Sequence, residues 1–192
     1  VNTKSDSVNI DRETGLAQAI KFLQKTSKLD PSLRDVSYYL GMAYLNKLPA
    51  DRSNRVLAQK AFLSAITKNC LIKSAYDYAF TFLIDNGEFG KAQDVVDKYE
   101  LNFPEDQISI LLFKVNLGMQ LRNFDTVVEL AKKIIKHFPD TTKGYMIMAN
   151  ALYAKRDTES ADVYYDKAIQ IDKSLAKAVP LIKNNIQKLY WK

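Results

Sequence analysis

The 192-residue chain carries one cysteine, Cys70, and one histidine, His137. That scarcity removes a disulfide framework and a Cys/His zinc cluster, and it leaves one Cys/His pair for nucleophilic chemistry. Six glycines and five prolines are too few to turn the many short strands of a sandwich or barrel. No apolar run approaches the roughly 18 residues that span a bilayer; the densest, Ile108 to Phe113, is already interrupted by Ser109. The patterns G-x-x-x-x-G-K, G-x-G-x-x-G, G-x-S-x-G and H-E-x-x-H are all missing, which excludes nucleotide binding and hydrolysis by those routes. A strong imbalance of charge is missing too. The net charge of +6 comes from 22 Lys and 6 Arg against 22 acids and is spread along the chain, +2 over residues 1–100 and +4 over 101–192. Lysines interleaved with acids make a solvated surface, so specific nucleic-acid binding is not expected, only weak association that salt removes.

What remains is 47% apolar residues, enough for one domain with a sizeable core, and the expectation is all-helical. Residues 1–11 begin with the polar stretch VNTKSDSVN and read as a leader or linker. A stretch of this kind trails a removed signal, a lipid anchor or a neighbouring domain, which favours an exported or lipid-anchored protein over the cytoplasmic alternative.

Self-similarity decides the architecture. Helix stops stand at Asp30-Pro31, Asn69-Cys70, Phe103-Pro104, Phe138-Pro139 and Asp172-Lys173, separated by 39, 34, 35 and 34 residues. Before each stop the spacing A-x-x-x-F-x-x-A returns, clearest in Ala58, Phe62, Ala65 and in Ala161, Tyr165, Ala168. The preceding segment has its own stripe, Leu40, Gly41, Tyr44 and later Tyr145, Met148, Ala149, Leu152. Small residues at Gly41 and Ala149 let a second helix come close while bulky neighbours fill the space beside the contact. The period therefore encodes a helix pair. About ten helices are predicted, at 12–27, 33–46, 53–68, 71–85, 88–101, 105–121, 124–137, 141–155, 159–171 and 174–190. Ser32-x-x-Asp35 is a capping-box variant, Asn86-Gly87 supplies a left-handed helix stop, and the excess of the first interval is a turn within residues 46–53 (NKLPADRS).

The period, the Leu40-Gly41-x-x-Tyr44 element, the Ala-x-x-x-Phe-x-x-Ala element and the closing prolines resemble tetratricopeptide repeats. The resemblance covers 12–173, with a partial first repeat at 12–31, four repeats near 34–67, 73–106, 108–141 and 142–175, and a solvating cap at 174–190. It implies a single domain over 12–192, a right-handed superhelix of antiparallel helix pairs. Departures from the pattern are Cys70 and Lys173 in place of proline and Ser37 where tryptophan is common. In the third repeat Ile108, Leu111, Leu112, Val115 and Met119 form a stripe, but Lys114 and Gly118 disturb its alignment.

Candidate chemistry is sparse. His137 sits at a helix end before Phe138-Pro139, where a cation suits the helix dipole. Cys70 lies in a turn between Lys68 and Lys73, which could lower its pKa, but it has no second cysteine or base beside it. Glu105-Asp106 and Asp94-Asp97 fall at helix starts or on polar faces. No active site, cofactor or metal site assembles from these residues, and no enzyme is expected.

The aromatics are more informative, eleven Tyr and nine Phe. Tyr44, Phe62, Tyr99, Tyr145 and Tyr165 lie on the motif stripes and read as core. If first helices line an inner groove, as the resemblance implies, it receives Tyr38, Tyr39, Met42 and Asn46, then Asp77, Tyr78 and Thr81, then Phe113, Asn116 and Gln120, then Met146, Asn150 and Tyr153. Tyr and Met offer contact area at modest entropic cost, while Asn, Gln and Thr can bond a peptide backbone. Members of the family that hold acidic chaperone tails use Lys and Asn on successive first helices, but here those places are Tyr38, Met42, Tyr78, Ser109 and Phe113. A partner with apolar side chains is expected instead. The reading is a protein-protein interaction scaffold or adaptor that holds a partner peptide or helix in the groove, with Tyr38 and Tyr78 partly exposed and removable at little cost to stability. The alternative is an accessory subunit of a transport or envelope-assembly complex that binds a folded partner or a small ligand.

Overall fold

The computed structural model describes residues 3–47 and 52–191. Among these, ten α-helices and no strand are present: α1 (Thr3–Leu29), α2 (Val36–Asn46), α3 (Arg52–Thr67), α4 (Lys73–Asp85), α5 (Phe89–Asn102), α6 (Gln107–Gln120), α7 (Phe124–His137), α8 (Thr142–Ala154), α9 (Thr158–Ile171) and α10 (Leu175–Tyr190). Nine begin and end within three residues of the bounds read from the sequence. The exception is α1, whose helical backbone is already formed at Thr3 rather than at 12. This stretch contains neither Pro nor Gly before Gly15, so nothing in its composition breaks a helical backbone. The inserted turn falls largely on 48–51, outside the described residues.

The chain divides into two compact units, Val1–Pro104 and Glu105–Lys192, where the repeats read as one array. The division falls at the Phe103-Pro104 stop. Pro104 lacks the N–H that would continue α5, and Asp106 opens α6 by accepting a bond from the Ser109 amide at 3.3 Å.

Within each unit consecutive helices pack on one another. In the first, Ala58, Phe62 and Ala65 of α3 and Ala75, Tyr76, Ala79 and Leu83 of α4 are fully enclosed. Gly41 of α2 fits under the Phe62 ring, since a Cβ there would lie 2.7 Å from Cε1. In the second unit Leu111 and Val115 of α6, Val127, Leu130 and Ile134 of α7 and Ala151 of α8 form one core, with Ile108, Leu112 and Met119 packed against it. The stripe that looked misaligned is intact. Its register follows the period: Leu83, Gly118 and Leu152 are equivalent, as are Ala92, Val127 and Ala161. At the third pair the sizes are exchanged, with Gly118 small and Val127 large; a Cβ on Gly118 would meet Val127 Cγ2 at 2.8 Å. A second core joins Ala149, Ala161, Tyr165 and Val179, so α10 seals α8 and α9.

The turns repeat as well. Gly87, Arg122 and Arg156, one period apart, are left-handed at φ 72°, 57° and 69°. Each is followed by an amide that bonds back to a helix carbonyl, Glu88 to Leu83, Asn123 to Gly118 and Asp157 to Leu152, at 2.8 to 3.0 Å, which satisfies the end of the first helix of the pair. Asn123 and Asp157 then cap the second helix by accepting from the Thr126 and Ser160 amides. The capping box expected at Ser32 and Asp35 is not formed. Ser32 instead turns onto the Asp30 carboxylate, and Asp35 accepts the Cys70 thiol at 3.2 Å.

Candidate functional site

The predicted groove residues of the first unit lie on α2 and α4, and the structure joins the aromatic ones into a continuous cluster. Tyr39 is 55% exposed and meets Tyr38 edge-on at 5.3 Å. Tyr38 tilts against Phe62 at 5.9 Å, and Phe62 stacks on Tyr78 at 4.8 Å with 15° between planes. Phe82 completes the row behind Phe62 at 6.3 Å. Tyr38 is further fixed by the Ser74 hydroxyl, which donates to Tyr38 Oη at 3.0 Å. Tyr38, Met42 and Tyr78 are half-buried, whereas Asn46, Asp77 and Thr81 are exposed. Two of the polar residues are turned inward to their own helix, Asn46 Nδ2 donating to Met42 O at 2.8 Å and Thr81 Oγ1 to Asp77 O at 2.8 Å. Tyr38 and Tyr78 are therefore structural as well as partly accessible. Each shares a ring contact with Phe62.

The second unit treats its set differently. Asn116 and Gln120 of α6 are exposed, but Phe113 is buried at 8% and belongs to the core rather than to a lining. The intact α6 register is the reason: Phe113 falls between the buried Leu111 and Val115 on a helix with little exposed surface to spare. On α8, Met146 and Tyr153 pack on the core around Tyr165. Asn150 Oδ1 is occupied by the Tyr165 hydroxyl at 2.9 Å. Tyr153 lies under Trp191, the rings stacked at 5.0 Å and 23°.

Of the residues that hold the end of α10, Tyr153 is one of the groove candidates, while Arg122 and Arg156 have no counterpart in the sequence reading. Trp191 Nε1 donates to Tyr153 O at 2.9 Å. Arg156 donates to Trp191 O at 2.9 Å and sits 5.8 Å over the indole. Arg122 donates to Leu189 O at 3.0 Å and sits 5.6 Å over the Tyr190 ring, which Phe124 meets edge-on at 5.2 Å. The signal for them was the turn period itself, which puts both arginines where the first unit has Gly87.

Other candidates resolve simply. Cys70 is fully enclosed, and burial pushes its thiol up to about 11, the opposite of activation. His137 is exposed in the last turn of α7 beside Lys136, at the negative end of that helix. Among the described residues no three His, Cys, Asp or Glu side chains converge as a metal site, and no helix is long and apolar enough to cross a membrane. The first unit also has a cleft of about 510 Å³ between α3 and α5, floored by Leu63, Ile66 and Val95 and edged by Lys91, Asp94 and Lys98.

No family model matches the chain. DnaJ protein P58IPK homolog A from Oryza sativa subsp. japonica is 24% identical over 148 residues, a match that takes in 76% of this chain and 29% of that protein. The chain thus spans less than a third of the length of this relative. Among solved structures, the MamA protein is 19% identical, with a TM-score of 0.65 over 88% of this chain and 90% of that one. MamA from Desulfovibrio magneticus RS-1, from residue 41 to its end, is 15% identical with a TM-score of 0.63, covering 89% and 93%. YrrB, described as a TPR protein with an unusual peptide-binding site, is 18% identical with a TM-score of 0.64, covering 94% and 87%. Period, paired helices, small-against-large contacts and these likenesses agree: the chain has the fold of the tetratricopeptide-repeat proteins.

Proposed function

We propose that the protein is a non-enzymatic interaction scaffold and that the α2–α4 face of the first unit holds an apolar peptide segment or helix of a partner protein. The observation that carries this reading is the aromatic row from Tyr39 through Tyr38 and Phe62 to Tyr78. It is rigid at its base and open at Tyr39, and a large ring on a packed support is the kind of group that anchors interfaces. Met42 supplies an adaptable neighbour. The peptide-binding site for which YrrB is described is consistent with this use of the fold.

The test starts from peptides selected from a displayed library against the full chain. Tyr39→Ala removes the accessible ring without touching Phe62. Its affinity for the selected peptide should fall about tenfold, the 1 to 2 kcal/mol of an interface anchor, while the melting temperature stays put. Undiminished affinity would sink the proposal.

A further inference from the structure

The end of α10 is held in a manner that a mere cap does not require. Both arginines that grip it adopt left-handed backbone, a conformation that disfavours side chains bearing a Cβ and that glycine adopts freely. Gly87 shows that glycine serves at the equivalent turn of the first unit. Each guanidinium combines a bond to a main-chain carbonyl with a ring face, one for Leu189 and Tyr190, the other for Trp191. Tyr153 adds a stacking floor and a carbonyl acceptor for the indole. This is a receptor for two adjacent aromatic residues with free main-chain carbonyls, and it is filled by the chain's own residues.

The filling segment buries few of its side chains. Pro180 interrupts the hydrogen-bond ladder of α10, since it has no N–H for the carbonyl four residues back. Among the described residues beyond Pro180 only Ile186 is buried, while Leu181 and Leu189 are more than 60% exposed. After that weak point Lys183 fastens α10, pairing with Asp162 and lying 5.7 Å over the Tyr153 ring and 5.1 Å over the Tyr165 ring, so what the two arginines and Tyr153 hold is the last turn, Leu189–Trp191.

We infer that Arg122, Arg156 and Tyr153 form a second binding site, one for a partner segment bearing adjacent aromatic side chains such as Tyr-Trp, and that the chain's own Tyr190–Trp191 occupies it until exchanged. This rests on the reading of the protein as a peptide-binding scaffold and extends it to the second unit.

Trp191 is the sole tryptophan, so its emission reports on this site alone. In the full chain Arg122→Gly with Arg156→Gly keeps the turns in a conformation glycine prefers while it removes both grips. The double variant should retain its far-UV circular dichroism, and acrylamide quenching of Trp191 should rise several-fold. Unchanged quenching overturns the site. If the variant loses helicity, the Arg→Lys pair is measured instead. Lysine keeps the charge but not the planar fork, and it should raise quenching to a lesser degree; no rise overturns the site again.

Exchange is tested with a synthetic peptide of residues 186–192 carrying a fluorescein label. It should bind full-length Trp191→Ala, whose receptor lacks its indole, at least tenfold more tightly than it binds the wild-type chain. Adding Arg122→Gly and Arg156→Gly to that variant should abolish the binding. Equal affinity for wild type and Trp191→Ala, or binding indifferent to the arginines, contradicts the exchange. Failure of Tyr39→Ala to weaken selected peptides would strike the first-unit reading and leave these measurements unmoved, so the two failures are distinguishable.

Discussion

The two units are built on one repeat frame and fill its close contacts with different side chains, a glycine of a first helix lying under a bulkier residue of a second helix in each. In the first, the large partner is an aromatic ring on the second helix, Phe62, seated on Gly41. In the second, Val127 stands over Gly118 and Ile135 over Gly144, where a Cβ would lie 2.7 Å from Ile135 Cγ1 and 3.0 Å from its amide nitrogen. A glycine on one helix makes room for either a ring or a branched aliphatic side chain on the other. The surfaces part company as a result. The first unit's ring continues outward through Tyr38 to an exposed Tyr39 and sideways to Tyr78, whereas the second unit buries Phe113 and Tyr165 separately in its core and covers Tyr153 with Trp191.

The largest effect that would break this comparison is expected at Phe62. It is fully enclosed and touches three other rings, so Phe62→Ala should cost about 3 to 5 kcal/mol in chemical denaturation. A loss below 1 kcal/mol would mean that the aromatic row does not organise the first unit. Overpacking should be felt equally in both units: Ala58→Phe and Ala161→Phe, each with no exposed surface, should cost on the order of 1 to 3 kcal/mol apiece. Melting indifferent to both would contradict the shared frame. The exchanged contact is sharpened by a double-mutant cycle. Gly118→Ala alone should cost about 1 kcal/mol, and in a Val127→Ala background the added methyl should be neutral or stabilising, with a coupling of about 1 kcal/mol. Additive losses would refute the exchange of sizes.

Cys70 gives the smallest effect. Because burial holds its thiol up to about 11, the unfolded chain releases that proton first, near the ordinary thiol value. Its contribution to stability is present below about pH 9 and disappears as pH climbs from there to 11. Thiol reagents at pH 7.5 should label the native protein only through opening; rapid stoichiometric labelling would contradict an enclosed, protonated thiol.

Most of the frame was legible because it is periodic. Gly41, Ala58, Phe62 and Ala161 announce their contacts by spacing alone, and Gly87 announces its turn by composition. Gly118 was misleading for a physical reason: a repeat pattern specifies the total volume of a contact, not which helix supplies it. The site was legible in part. Tyr38, Tyr39 and Tyr78 could be placed on first helices by period, but their ring-to-ring continuity through Phe62 depends on rotamers. Phe113 shows the cost of assigning a face when the register is in doubt. Arg122 and Arg156 could not be read as a pair of grips, because nothing in sequence brings a turn residue to a helix end 67 and 35 residues away.

The most direct test of the open aromatic face is amide hydrogen exchange on the full chain, with and without a selected peptide. Added protection should concentrate in α2 and α4, the helices that carry Tyr39, Tyr38 and Tyr78. Protection confined to α3 and α5, along the cleft floored by Leu63, Ile66 and Val95, would show that the partner sits on the second helices and that the aromatic row serves the core alone.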